Sequence, residues 1–160
     1  MGYKINLSGS DLRGANFVDA HLEGVEIWQA HLEGADLEEA RLEGAILSLA
    51  HLERAYLGKA HLEGAELVQA HLEGAILNET HLDGAFLNEA HLEGANLSLD
   101  HLEGAYLLGS TYNSKTKDGI KPTIFPKNFN PKEHGMIDTS EPSEAEEETD
   151  TAESPTSPRT

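Results

Sequence analysis

The 160-residue sequence has no cysteine, which excludes a disulfide framework and any thiolate site. Aromatic residues make up only 6% of it and apolar residues 38%, so any core has to be built from leucine and alanine. Positive charge is scarce. Eleven Lys and Arg face 29 Asp and Glu, and the formal net charge of −18 makes nucleic acid and anionic membrane surfaces poor direct partners. No window approaches the roughly 18 consecutive apolar residues of a membrane span. The opening MGYKINLSGSDL lacks the apolar run of a signal peptide. Together these absences predict a soluble, cytoplasmic protein. Catalytic signatures are missing as well: there is no GxSxG, no phosphate-binding glycine loop and no acid and base paired in a concave pocket. The expectation is a protein that is not an enzyme and uses no cofactor.

Charge divides the chain into three segments. Residues 1–112 carry 19 acidic and 5 basic side chains, residues 113–135 carry 2 and 5, and residues 136–160 carry 8 and 1, for net charges of −14, +3 and −7. The first segment is a repeat. The second, through residue 137, contains Ile120, Ile124, Phe125, Phe129, Met136 and Ile137, while Pro122, Pro126 and Pro131 argue against helix and central strand. It is expected to lie across the end of the repeat, as solenoid ends require. Residues 138–160 are Glu, Ser, Thr and Pro without an aromatic, and predict a disordered acidic tail.

The repeat has a period of five, paired into a ten-residue echo such as AHLEGAELVQ–AHLEGAILNE at 60–79. From Leu7 to Tyr112 every fifth residue is large and apolar, giving 22 units, and a small residue stands two positions before nearly all of them. On an α-helix a step of five advances each leucine by about 140° beyond the last, which scatters them round every side. On a straight strand an odd step throws successive leucines onto opposite faces. A backbone that corners once in five residues solves both problems. It directs Leu32, Leu42, Leu52, Leu62, Leu72, Leu82 and Leu92, with Ala35, Ala45, Ala65 and Ala85, towards a shared axis. Gly24, Gly34, Gly44, Gly64, Gly74, Gly84, Gly94 and Gly104 fall at the third position of Leu-Glu-Gly-Ala turns, where a type II turn needs positive φ. The alternate corners, Leu-Glu-Glu-Ala at 37–40 and Leu-Asn-Glu-Ala at 87–90, lack glycine and are expected to use another turn type. Arg54, which interrupts the glycine series, is expected at a strained or re-formed corner.

This A-x-L-x-x series resembles the pentapeptide repeat family, and the segment around TIFPKNFNP resembles the tails of cyanobacterial-type members. The resemblance implies an all-β fold, a right-handed quadrilateral parallel β-helix. Four units per coil would give about five and a half coils, each rising ~4.8 Å, in a rod about 26 Å long.

Coils of twenty residues would stack the exposed side chains into columns. His21, Arg41, His61, His81 and His101 form one, and His31, His51, His71 and His91 another on the opposite side, each flanked two residues on by a glutamate or, after His81, by Asp83. Imidazole is a common metal ligand. An evenly spaced ladder open to water nevertheless predicts no dedicated metal site, with His61, His81 and His101 as weak surface candidates. Histidine also changes charge in mildly acidic solution, so a pH response is the other reading of these columns. An inward carboxylate at Asp100, in register with Ala20, Ala40, Ala60 and Thr80, is costly unless hydrogen-bonded, and Thr80 or nearby backbone is its expected partner.

The functional expectation is a non-catalytic scaffold for an unknown protein partner, with the outward aromatics Trp28, Tyr56, Phe86 and Tyr106 as binding candidates. The alternative is a mimic of DNA acting on a type II topoisomerase such as gyrase, as some family members do. A charge of −14 over about 26 Å is one per ~1.9 Å, close to the ~1.7 Å of duplex DNA. The first coil, with few residues before it, further predicts end-to-end homodimerisation through open strand edges.

Overall fold

In the computed structural model, which describes residues 5–141, the chain turns a corner every five residues and returns above itself after twenty. Asn6 bridges Glu26, Asp11 bridges His31, Asn16 bridges Asp36 and His21 bridges Arg41, and the same parallel step continues to Phe86–Tyr106 and His91–Thr111. Each bridge is made by two backbone hydrogen bonds. The Leu32 N–H donates to the His51 carbonyl at 2.7 Å, and the His51 N–H donates to the Ala30 carbonyl at 2.9 Å. The architecture is a β-solenoid whose strands are reduced to single bridges between corners.

The corners are closed by the same bond, from the residue at the usually small position back to the large core residue three before it, as in Ala35 N–H to the Leu32 carbonyl at 2.9 Å. The expectation of a second turn type is corrected here. Glu39 (φ 57°) and Glu89 (φ 58°) take the same left-handed backbone as Gly34 (φ 65°), and Ala40 and Ala90 close their turns as Ala35 does. The expectation of a strained or re-formed corner at Arg54 fails for the same reason. Its φ of 57° matches the other non-glycine corners, and its N–H reaches the Glu73 carbonyl at 3.0 Å. An L-residue in this region costs about 1–2 kcal/mol, but the coils above and below fix the corner, so the stack overrides the local preference. The ten-residue echo is therefore an alternation of residues within one turn geometry.

Two glycine corners separate backbone cost from packing cost. A methyl at Gly24 meets nothing within 4 Å, whereas one at Gly94 lies 2.8 Å from Ile120 Cγ2 and 3.2 Å from the Lys121 carbonyl oxygen. Gly24→Ala should cost about 1–2 kcal/mol from φ alone. Gly94→Ala should cost a further 1–3 kcal/mol, roughly, by prising the following segment away. Paired urea denaturation curves measure both; equal losses would remove the steric argument.

The core is the inside of the coil. Leu32, Leu42, Leu52, Leu62, Leu72, Leu82 and Leu92 are at most 1% exposed, and Ala35, Ala45, Ala65 and Ala85 are fully buried. Full burial of one such leucine contributes about 1.5–3 kcal/mol. In the first coil Leu7, Leu12 and Phe17 are only partly buried.

At the other end Ile124 takes the next place in a ladder, bridging Asn96, with the Leu97 N–H donating to its carbonyl at 2.7 Å. Strand β1 (Thr111–Tyr112) pairs in parallel with β2 (Ile137–Asp138). Tyr112 meets Phe125 edge-on at 5.5 Å, Phe125 stacks on Phe129, and Met136 is buried. Asn113 ties the segment together, accepting from the Gly94 N–H at 2.8 Å and donating to the Lys121 carbonyl at 2.9 Å. Two details differ from expectation. Pro131 opens a short 3₁₀ turn, Pro131–His134, because a first helical position needs no N–H. The 137/138 boundary falls inside β2, and the Thr139 N–H still donates to the Tyr112 carbonyl at 2.7 Å. The remainder of the expected tail, residues 142–160, lies outside the described residues.

Candidate functional site

Besides the third turn residue, which is exposed at many corners, two positions per unit supply outward side chains: the bridge residue and the second residue of the following turn. Between them sits an inward leucine, so the two share a face. Where the bridge residue is histidine and the turn residue glutamate, the pair meets. Nδ1 of His21, His31, His51, His61 and His71 lies 3.0–3.3 Å from Oε1 of Glu23, Glu33, Glu53, Glu63 and Glu73. Successive coils stack the rings face to face. Centroids are 4.9 Å apart for His31–His51, 4.7 Å for His61–His81 and 4.6 Å for His81–His101. Arg41 replaces histidine in one ladder and bridges two coils, 2.9 Å from Glu43 and 3.2 Å from Glu23, and these carboxylates raise its pKa. Below the other ladder, Arg13 hydrogen-bonds Asp11 and holds its carboxyl at about 2.

The two remaining walls carry the variable residues. Trp28, Phe86 and Tyr106, at 45%, 40% and 54% exposure, belong to one wall and its corner, and Phe86 stacks on Tyr106 at 4.9 Å. Tyr56 stands on the opposite wall, in the column Asp36–Tyr56–Ile76–Asn96. The first wall also exposes Leu49 and Leu108, which sequence reasoning passed over because an LSL or YLL spacing reads as core. Their signal is positional: they fill turn positions that are mostly polar in other units. That wall has no lysine or arginine in any coil, and it holds Glu26, Glu66 and Glu89.

Asp100 is the one carboxylate in the core column, 8% exposed. Its Oδ1 accepts from the Thr80 N–H at 2.9 Å, the partner expected for it, while Oδ2 has none. Burial pushes its pKa up to about 8, against the Thr80 bond that lowers it. At the end segment the balance reverses. Although Asp138 is partly buried, Ser114 and Ser140 outweigh that burial and hold it at about 2. Among the described residues no helix is long and apolar enough to cross a membrane.

The profile for pentapeptide repeats matches in eight copies, over residues 4–38, 35–74 and 65–99. The pentapeptide repeat protein Rfr23 from the cyanobacterium Cyanothece 51142 is 28% identical, with a TM-score of 0.67 over 75% of this chain and 90% of that one. The pentapeptide repeat protein alr5209 from Nostoc Pcc 7120 is 30% identical, with a TM-score of 0.60 over 67% and 83%. No curated protein matches the sequence.

Proposed function

The chain belongs to the pentapeptide repeat family, and from that premise we propose that it is a non-catalytic scaffold that presents one wall to a protein partner. The rod in this reading is a right-handed, four-sided β-helix of about five and a half coils, from 22 units taken four to a coil. The observation that carries the proposal is the grouping of Trp28, Leu49, Phe86, Tyr106 and Leu108 on one wall and its corner, free of basic residues. Aromatic and aliphatic anchors on a flat face are what protein interfaces use at their centre. The absence of cations beside Glu26, Glu66 and Glu89 selects a partner with an apolar strip and a basic rim. End-to-end pairing through the first coil belongs to the same reading, drawing on its half-buried Leu7, Leu12 and Phe17.

A DNA mimic needs bare strips of negative charge. Here the glutamate strips are flanked by imidazoles at 3.0–3.3 Å and a third wall exposes Trp28, Leu49, Phe86, Tyr106 and Leu108 among its carboxylates, which favours the scaffold. The test is capture from host-cell extract by the full chain, quantified against Phe86→Ser/Tyr106→Ser and against Tyr56→Ser. Losing two central aromatics should weaken capture at least about tenfold, and Tyr56→Ser should leave it intact. Equal capture by all three, or inhibition of gyrase supercoiling by the wild type, would sink the scaffold reading.

A further inference from the structure

We propose that the two histidine–glutamate ladders are binding sites for borderline divalent ions of the Zn²⁺ class, and that they take three ions per chain. Five triplets place three ligand atoms within 4.8 Å of one another. His31–Glu33–His51, His51–Glu53–His71 and Glu73–His91–Glu93 lie in one ladder, and His61–Glu63–His81 and His81–Asp83–His101 in the other. A tetrahedral ion with bonds of about 2.0–2.2 Å holds nitrogen and oxygen ligands about 3.3 Å apart. The His31–Glu33 and His61–Glu63 pairs already stand at 3.1 and 3.2 Å. Glu63 Oε1 also lies 4.0 Å from His81 Nδ1, so the carboxylate sits between successive rings. Closing the triplet requires the second imidazole to tilt out of its stack, towards the first.

Two further features point to a cation in these rungs. Arg41 shows that the position accepts one: its guanidinium spans the carboxylates of two coils where the other rungs of that ladder carry imidazole. The second oxygens of Glu33, Glu53, Glu63, Glu73 and Glu93, like that of Glu43 beside Arg41, are shielded from solvent and accept no hydrogen bond, which leaves those rungs spare acceptor capacity. Mixed imidazole and carboxylate donors suit Zn²⁺, Cu²⁺ or Ni²⁺, whereas Mg²⁺ and Ca²⁺ demand oxygen alone.

The count follows from sharing. His51 belongs to two triplets and His81 to two, so only one of each sharing pair fills at a time. That leaves two ions in the first ladder, one of them at Glu73–His91–Glu93, and one in the second. Isothermal titration of the full chain with ZnCl₂ at neutral pH should therefore read three ions. His71→Gln should still read three, because His31–Glu33–His51 survives. His51→Gln and His81→Gln should each read two, and MgCl₂ should not reproduce the series. These are surface substitutions, and circular dichroism checks that each variant keeps the wild-type fold. No heat above dilution, the same loss from His71→Gln as from His51→Gln, or a Mg²⁺ series matching that of Zn²⁺ would overturn the proposal. The second of these outcomes would mean that single histidines bind independently.

Discussion

Asp100→Asn should leave the melting temperature unchanged near pH 4 and raise it by about 10 °C at pH 7. Burial lifts the Asp100 carboxyl from 3.8 to about 8, because its charged form has only the Thr80 N–H to replace water. The folded chain therefore holds this proton more tightly than the unfolded one. Stability from the group is complete below about pH 4 and drains away as pH rises towards 8. At pH 7 the loss is about 4 kcal/mol, taking ~1.36 kcal/mol for each pH step above the unfolded value. Asparagine keeps the oxygen that accepts from Thr80 and cannot ionise, so its advantage should appear only on the alkaline side. Thermal melts of both proteins between pH 4 and pH 8 decide the matter, and parallel curves would show that Asp100 is not held neutral.

Leu72→Ala should cost about 3–5 kcal/mol, the upper part of the range for buried leucines. Leu72 is fully buried, with Leu52 and Leu92 one coil below and above it. In a globule, neighbouring elements shift to fill part of such a void. Here the coil spacing is fixed by ladder bonds such as the Leu72 N–H to the His91 carbonyl at 2.8 Å and the His71 N–H to the Ala50 carbonyl at 2.9 Å, so the cavity stays open. Leu12→Ala, in the half-buried first coil, should cost about half as much. Chemical denaturation of the two variants measures the difference, and equal losses would contradict a rigid stack.

The inward leucines and alanines, and the twenty-residue columns of His31 to His91, were legible because a step of five admits few backbones. The corners at Glu39, Arg54 and Glu89 were not, since residue preference argues against left-handed backbone and only the stacked coils enforce it. Leu49 and Leu108 were hidden for a different reason: in a leucine-rich repeat an outward leucine looks like another core residue. The pairing of His61 with Glu63 could be read from a spacing of two, but its approach to His81 could not. That approach depends on ring distances no spacing supplies. The gathering of Trp28, Phe86 and Tyr106 apart from Tyr56 needed only the twenty-residue register.

Since each bridge joins a residue to the one twenty further on, nothing in the ladder counts how many coils there are. Duplicating twenty residues would lengthen the rod by one storey and return every wall to its own side. Duplicating ten would exchange the walls, placing aromatic columns above the one that holds Tyr56. The end segment, anchored by Ile124 and β2, would ride on top in either case. The chain is in this sense a ruler graduated in units of one coil, and gene duplication can reset its reach without redesigning its faces.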